Sequence, residues 1–267
     1  MPEIGEIDTE IAVTITDRVG WITFNRPDVL NAFSDSMRAR LLELLEGWQH
    51  DDAVGCVVLT GAGRAFCAGG DVPSMAALQR DNDTTVVENR MVVGGQVVQL
   101  IQRLPKPVIA AINGPAAGAG MNLALACDMR FGAEDALFSE SFVKIGLVPD
   151  WGGFYFLPRL IGTAKAMELM MLGDRIPMAD ALRLGLVNDV LAPALLAEHV
   201  QAIASRLASG PSEALRAIKE GVMGGASGSL EQALAFEYRA QKTLFLSDDA
   251  REGMQAFIDK RAPVFRQ

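Results

Sequence analysis

The chain has 267 residues and a mass of 28.6 kDa, which fits one large domain or one domain with a small appendage. Half of its residues are hydrophobic and 21% are charged, so the apolar content suffices for a sizeable core and excludes intrinsic disorder. The net charge of −9 argues against a nucleic-acid-binding surface, which needs clustered Lys and Arg. No apolar run approaches the length of a membrane span, so no membrane partner is expected.

The three cysteines predict buried free thiols rather than a disulfide framework. Cys56, Cys67 and Cys127 are odd in number, widely spaced and without a CxxC pair, so neither disulfides nor a zinc site is expected. The first ten residues are acidic and lack the basic-then-apolar pattern of a signal peptide. Both observations predict a cytoplasmic location.

Strands and helices alternate in the first half of the sequence. Residues 11–24 alternate apolar and polar around a break at 16–20, which predicts a β-hairpin. Apolar positions at helical spacing predict a helix up to Trp48, with Ser34 as its N-cap. The remaining elements predicted in this half are strands at 54–60, 108–112, 129–131 and 136–138 and a helix at 86–104. Strand, glycine-rich turn and helix occur twice, about 50 residues apart, which indicates an α/β core.

The second half of the sequence changes to helices. They are predicted at 164–172, 177–184, 193–207, 211–223, 229–246 and 249–260. A core over residues 1–200 and a helical region over residues 201–267 are therefore expected. Apolar residues such as Leu230, Leu234, Phe245 and Phe257 exceed what a small helical region can bury alone, which predicts self-association through it.

Common catalytic signatures are missing from the sequence. His50 and His199 are the only histidines; His199 falls on a predicted helix and His50 directly after one, and a surface position is expected for both. Without a GxSxG elbow no Ser-His-Asp mechanism is expected, and without GxxxxGK[ST] no phosphate-binding loop is expected. The GxG at Gly118 to Gly120 has Leu123 in place of a third glycine, which argues against a dinucleotide site.

Two glycine-rich turns, at 61–71 and 113–120, follow two predicted buried strands. Glycine after a strand is common, because tight turns need a positive φ or a close backbone approach. Two turns that each lead into a helix can present unpaired N–H groups where the helix dipole also favours negative charge. If they converge, two such N–H groups form an oxyanion hole for an enolate or a tetrahedral oxyanion.

Three long motifs stand in order along the chain: RAFCAGGD at 64–71, KPVIAAING at 106–114 and GAGMNLALACD at 118–128. Shorter motifs follow, namely GLVP at 146–149, GG at 152–153, LPR at 157–159, GLV at 185–187 and a last one at 252–261. Together they span nearly the whole chain and resemble the crotonase family of enoyl-CoA hydratases and isomerases.

The resemblance implies an α/β fold, a crotonase-like spiral of ββα units, in which the helical region after residue 200 serves trimerisation and trimers commonly pair into hexamers. It implies an acyl-CoA thioester as substrate, with no separate cofactor and no metal. By position, the family's oxyanion N–H groups fall on Gly70 and Ala119. The loop from Ala65 to Val72 resembles the one that receives the CoA adenine and pantetheine through main-chain contacts. The CoA-binding residues implied in this way are Ala65, Phe66, Ala68, Gly70, Asp71, Val72 and Lys260.

The chain departs from typical enoyl-CoA hydratases at the two glutamates that position and split water. Asn122 and Phe142 take their places. Asn cannot act as a general base, and Phe makes that wall apolar. Glu140 lies two residues from Phe142 and is expected to be solvated or ion-paired, since a two-residue shift would not keep the geometry of the missing glutamate.

Asp150 is the remaining candidate for proton transfer. Its surroundings, GLVPDWGG at 146–153, resemble the isomerase branch of the family and 1,2-epoxyphenylacetyl-CoA isomerases most closely, in which an acidic residue at this place transfers the proton. The resemblance therefore implies an enoyl-CoA isomerase with Asp150, Gly70 and Ala119 as catalytic groups, and an enoyl-CoA hydratase as the alternative. The sequence alone also allows Asp150 to be the N-cap of a helix at 152–160. Apolar neighbours would raise the pKa of Asp150 and a helix N-terminus would lower it.

Overall fold

The computed structural model describes residues 7–8, 10–82 and 84–265 of the chain. The strands are β1 (Ile7–Asp8), β2 (Ile11–Thr16), β3 (Val19–Phe24), β4 (Cys56–Gly61), β5 (Val108–Ile112), β6 (Ala116–Ala117), β7 (Met129–Ala133), β8 (Leu137–Ser139), β9 (Arg175–Pro177) and β10 (Asp189–Leu191). The helices are α1 (Asp35–Trp48), α2 (Val72–Arg80), α3 (Thr84–Arg103), α4 (Ala119–Ala126), α5 (Gly153–Ile161), α6 (Thr163–Leu172), α7 (Met178–Arg183), α8 (Pro193–Ala208), α9 (Ser212–Gly225), α10 (Leu230–Leu244) and α11 (Asp248–Asp259). Two 3-10 turns lie at Pro27–Val29 and Ser141–Ile145.

The main sheet of the described chain runs in the order β1-β2-β3-β4-β5-β7-β10. Its first three strands pair antiparallel and the others parallel. The predicted hairpin over 11–24 is confirmed, with Val13 opposite Ile22. A smaller sheet has the order β6-β8-β9. The parallel strands are joined through helices, which confirms the predicted α/β class.

The central strands of the main sheet are covered by helices on both faces. Every residue of β5 is buried, as are all but Thr60 in β4. Strands buried on both faces read as continuous apolar runs, which is why the sequence predicts both of them. The apolar stripes of α1, α3 and α8 supply much of the cover, with buried side chains that include Met37, Leu41, Leu45, Val97, Ile101, Val200 and Ala204.

Helix α1 begins as predicted, because the Ser34 hydroxyl accepts a hydrogen bond from the Met37 N–H at 3.1 Å. Helix α2 is not predicted by the apolar pattern, since it contains no buried residue. Its start is nevertheless encoded, with Pro73 in the first turn and Asp71 accepting from the Ser74 N–H at 3.1 Å. The strands β6, β9 and β10 are also missed, because two or three residues are too few to show alternation.

The six helices predicted after residue 163 are present as α6 to α11. The division predicted after residue 200 falls inside α8, whose Val200, Ala204 and Ala208 are buried. The whole of helix α8 packs against β3, β4, β5 and β7 of the main sheet. The C-terminal helices without extensive contacts to the sheet therefore begin with α9. Trimerisation through this region stays a prediction.

Helix α9 is anchored to the core by the Lys219 side chain. Its Nζ lies 2.8 Å from the Asp128 carboxylate and donates to the carbonyl oxygens of Ile101 and Lys106 at 2.7 and 3.1 Å. Neither α9 nor α10 contains a fully buried residue. None of the helices in the described part of the chain is long and apolar enough to span a membrane.

Candidate active site

The two glycine-rich turns lie directly against each other. The Ala117 N–H donates to the Cys67 carbonyl at 2.9 Å. A Cβ on Gly120 would lie 2.2 Å from that same carbonyl oxygen, and a Cβ on Gly69 would lie 3.2 Å from the Ala119 nitrogen. Glycine at both positions is therefore what allows the turns to converge.

Gly70 and Ala119, the predicted oxyanion residues, line one cavity between these turns. Ala119 is the first residue of α4, so its N–H has no partner within the helix. Neither N–H donates to another residue in the described ranges. Gly118, with a φ of 52°, makes the turn into α4, whose N-terminal dipole favours negative charge. The pair has the donor chemistry that a developing enolate oxygen requires.

The cavity has a volume of about 220 Å³, and Asp150 is the only carboxylate among the described residues that line it. Phe142 and Trp151 contribute apolar walls, and Arg38 and Arg90 contribute positive charge. A second cavity of about 380 Å³ adjoins it and is lined mostly by apolar side chains of α2 and α3. The residues shared by both cavities are Val72, Met75, Val87, Ile145 and Leu147.

Asp150 is held at the cavity by the packing of the next residue, Trp151. Trp151 has a φ of 47°, and its ring stacks on Phe33 with centroids 4.5 Å apart. The indole also fills the space at Gly94, where a Cβ would lie 2.4 Å from the indole nitrogen. A non-glycine residue with positive φ costs about 1–3 kcal/mol, so this tight packing maintains the turn that presents Asp150.

The Asp150 side chain does not cap the following helix. Helix α5 has Gly152 as its N-cap and no side-chain cap. The Asp150 Oδ1 is buried without a hydrogen-bond partner among the described residues. Its main-chain carbonyl accepts from the Gly153 N–H and from Asn122 Nδ2, each at 2.9 Å. The N-cap interpretation is therefore wrong, and the carboxylate is left for other chemistry.

Burial raises the pKa of Asp150 to about 6, and the positive charge of Arg38 partly opposes this rise. The sequence alone does not decide whether the pKa of Asp150 is raised or lowered, and in the structure burial raises it. Such a carboxylate is ionised at neutral pH and is a stronger base than an exposed aspartate. Arg38 is buried on α1 and Arg90 lies on α3. The sequence predicts neither as a site residue, because an arginine on an amphipathic helix is ordinarily solvated.

Asn122 and Phe142, which the resemblance implies to stand at the places of the two hydratase glutamates, supply no proton-transfer group. Phe142 lines the cavity, and a Cβ on Gly118 would lie 3.3 Å from its ring. Asn122 is fully buried and holds the Asp150 main chain, but it does not line the cavity.

Glu140 contradicts the expectation of a solvated or ion-paired side chain. It is 0% exposed, and both of its carboxyl oxygens lack a hydrogen-bond partner among the described residues. Burial raises the pKa of Glu140 to about 8; the Asn122 amide opposes this rise, and the negative charge of Asp150 adds to it. The expectation is wrong because Glu140 directly follows the buried strand β8, so the chain carries it into the interior.

The residues of the predicted CoA loop differ in their access to the cavity. Ala65 and Phe66 are buried, and Phe66 packs edge-on against Phe24 with ring centroids 5.6 Å apart. Their main chains are engaged within the protein, since the Phe66 N–H donates to the Pro115 carbonyl at 3.1 Å and the Ala65 carbonyl accepts from Asn31 Nδ2 at 2.8 Å, and neither residue lines the cavity. Ala68 and Val72 line the cavity, and Val72 is 47% exposed.

Two residues predicted to bind CoA have other surroundings. The Asp71 side chain caps α2 and lies 3.4 Å from Arg26 Nη2, so a main-chain role is what remains for it. Lys260 is exposed at the C-terminal end of α11, with a φ of 56°, and does not line the cavity. The structure does not bring Lys260 together with Gly70, Ala119 and Asp150.

Histidine and cysteine side chains do not line the cavity. His50 is exposed as predicted, whereas His199 is half-buried with its ring centroid 5.4 Å from that of Phe131. The three cysteines are buried free thiols, as predicted, and burial raises the pKa of each to about 12. Thiols with such pKa values are poor nucleophiles at neutral pH.

Comparison with known proteins defines the class to which this fold and cavity belong. The enoyl-CoA hydratase/isomerase family pattern matches residues 14–267. The chain therefore belongs to the enoyl-CoA hydratase/isomerase family, the crotonases, as the motifs predict.

Its relatives carry both names. A "probable enoyl-CoA hydratase" from Rhodobacter capsulatus is 40% identical over 96% of this chain and 97% of its own length. A "1,2-epoxyphenylacetyl-CoA isomerase" from Escherichia coli is 39% identical over 91% of this chain and 93% of its own length. The crystal structure of an enoyl-CoA hydratase from Bacillus anthracis superposes with a TM-score of 0.91 at 36% identity, over 96% of this chain and 98% of that one. The crotonase fold predicted from the sequence is thus confirmed.

Proposed function

We propose that the protein is an enoyl-CoA isomerase that shifts a double bond by proton transfer through Asp150. One observation carries this proposal. The cavity lined by Gly70 and Ala119 has a single carboxylate, that of Asp150, among its described lining residues. By the resemblance, Phe142 stands where a hydratase has a glutamate. One carboxylate can remove and return a proton, whereas the water-adding reaction of the hydratases uses two.

The reaction proposed for a 3-enoyl-CoA substrate has two proton transfers. The Asp150 carboxylate takes a proton from C2, and the C2–H electron pair forms a C1–C2 double bond while the thioester carbonyl becomes an enolate. The N–H groups of Gly70 and Ala119 stabilise the oxygen that gains this charge, and losing one such donor typically costs about 10²–10³ in rate. Asp150 then returns the proton to C4, the C3–C4 double bond moves to C2–C3, and the carbonyl re-forms.

The substrate fits this site as a coenzyme A thioester without a separate cofactor. The loop from Ala65 to Val72 would receive the CoA portion, as the resemblance implies, and its residues Ala68, Gly70 and Val72 line the cavity. The adjoining apolar cavity of about 380 Å³ would accept the acyl chain. A homotrimer or hexamer is the proposed assembly, in which Lys260, which does not line the cavity of its own chain, would contact CoA bound to a neighbouring copy.

An enoyl-CoA hydratase is the second candidate, favoured by the name of the relative that is 40% identical. It would require a water activated without a second carboxylate in the cavity. Efficient hydration of crotonyl-CoA by the wild type would establish this alternative instead.

The test is Asp150→Asn, which keeps the shape of the side chain and removes its ability to accept a proton. Turnover of a 3-enoyl-CoA and deuterium exchange at C2 should both fall by about 10² or more, while binding of a substrate analogue survives. Wild-type turnover at low substrate should rise with pH through about 6, where Asp150 ionises. Asp135→Asn, the same change at an exposed position, is the matched control and should leave turnover intact. If Asp150→Asn retains exchange and turnover, Asp150 is not the base.

A further inference from the structure

Three polar atoms next to Asp150 are buried and lack hydrogen-bond partners. They are both carboxyl oxygens of Glu140 and the amide oxygen of Asn122. All three are acceptors when Glu140 is ionised, and buried acceptors without donors are strongly disfavoured. The missing component is a donor hydrogen.

The Asn122 side chain interacts with both Asp150 and Glu140. Its Nδ2 donates one hydrogen to the Asp150 main-chain carbonyl at 2.9 Å. The same amide also lowers the pKa of Glu140, which indicates that it lies beside that carboxyl group. A primary amide has two N–H groups and one oxygen, so one N–H and the oxygen remain for Glu140.

We infer that Glu140 is a neutral carboxylic acid that forms a paired ring of two hydrogen bonds with the Asn122 amide and thereby positions Asp150. In this ring the Glu140 O–H donates to Asn122 Oδ1, and the second Nδ2–H donates to the other Glu140 oxygen. The added proton and the second Nδ2–H together satisfy all three unpartnered atoms. The inference rests on the proposed function in so far as Asp150 is the base.

The charges around Glu140 are consistent with a neutral acid. Asp150 is the charged group that acts on Glu140, and its negative charge disfavours a second ionised carboxylate beside it. Lys144, on the 3-10 turn that follows Glu140, is about half exposed and faces Asp174 at 4.0 Å instead. No ion pair to Glu140 is found among the described residues. At neutral pH the two carboxyl groups therefore carry one negative charge in total, and it lies on Asp150.

The neutral form matters for the reaction, because an enolate forms close by. A second buried negative charge would oppose the developing oxyanion, and ionised Glu140 would repel Asn122 Oδ1 and loosen the amide that holds the Asp150 carbonyl. Glu140 does not line the cavity, so it acts through Asn122 as a positioning residue.

Infrared spectroscopy of the wild type with ¹³C-labelled glutamate carboxyl groups tests the protonation directly. The spectrum should show a protonated-carboxyl stretch at about pH 7 that disappears by about pH 10, where ordinary glutamates have long been ionised. Glu140→Gln should lack this band, and Glu134→Gln, the same change at an exposed position, should keep it. Absence of the band from the wild type at about pH 7 would overturn the inference, even if the variants fail to fold.

Turnover of the variants tests the positioning role. Gln can form the same ring with Asn122, so Glu140→Gln should keep at least about a third of wild-type turnover at pH 7, whereas Glu140→Leu should lose about tenfold or more. Wild-type turnover should decline above about pH 8 as Glu140 ionises, and Glu140→Gln should lack this decline. Equal losses in the Gln and Leu variants, or a decline that persists in Glu140→Gln, would contradict the inference. Full activity of Asp150→Asn would refute the proposed function alone, since the infrared band does not depend on catalysis.

Discussion

Strand β5 and helix α10 are both rich in apolar residues, yet they have opposite surroundings. All five residues of β5 are buried, whereas α10 has no buried residue, and its Leu230 and Leu234 are 76% and 53% exposed. The apolar pattern predicts both elements correctly, but it does not show what covers an apolar face. In the core that cover is the rest of the chain. The exposed side chains of α10 lack such cover among the described residues, and a second copy of the chain is its predicted source.

The largest expected effect comes from a glycine-to-alanine substitution in the buried core, compared with the same substitution in the exposed C-terminal helices. Gly120→Ala should reduce the free energy of unfolding by about 2–4 kcal/mol, because its Cβ would meet the Cys67 carbonyl oxygen at 2.2 Å. Gly224→Ala in α9 meets nothing within 4 Å and should be neutral or stabilise the helix by up to about 1 kcal/mol. Urea denaturation measures both values. Equal unfolding midpoints would show that the two turns are not closely packed.

A smaller effect is expected from a charge on the apolar face of α10. Leu234→Asp should weaken self-association by at least about tenfold, or about 1.4 kcal/mol, because it buries a carboxylate in the predicted interface. The fold of the single chain should persist, since Leu234 is 53% exposed. Light scattering across a dilution series measures the association. Leu195→Asp is the control, because Leu195 is 54% exposed at the start of α8, where an acidic residue is favoured. A wild type that is monomeric at micromolar concentration would refute the predicted assembly.

The smallest effect separates the inner and outer faces of one helix. Gly94→Ala would place a Cβ 2.4 Å from the Trp151 indole and should lower turnover by about tenfold, because Trp151 positions Asp150. Gly95→Ala, the adjacent position, meets nothing within 4 Å and should leave turnover unchanged. Steady-state kinetics of the two variants compares them directly. Equal turnover of both would mean that the Trp151 packing does not control the position of Asp150.

The sequence predicts much of the fold because most of its elements have strong local signals. The range 108–112 is predicted to the residue, since five apolar residues between proline and asparagine have no other good interpretation. Helix α1 is predicted with its cap for a similar reason. Helix α2 and the short strands are missed because their residues are exposed or too few to show periodicity.

The candidate site is predicted only in part, because burial and charge are tertiary properties. Gly70, Ala119 and Asp150 follow from motifs, and the structure brings them to one cavity. The burial of Glu140 after β8 is not predicted, because a glutamate in a sequence is ordinarily solvent-exposed. Arg38 has no local signal either, because its influence on Asp150 depends on how α1 packs near the turn at 149–152.

The Lys219 ammonium links the two regions at the start of the strand that leads to the oxyanion turn. It binds the carbonyl of Lys106, two residues before β5, and the five residues of β5 lead toward Ala119. Detaching α9 would leave the Asp128 carboxylate and two carbonyl oxygens without their shared donor, at a cost of about 3–5 kcal/mol for the broken charge pair alone. Loosening of the C-terminal helices and melting of the sheet are therefore thermodynamically coupled. We therefore expect two regions that differ in composition and exposure to lose part of their stability together when this ion pair is broken.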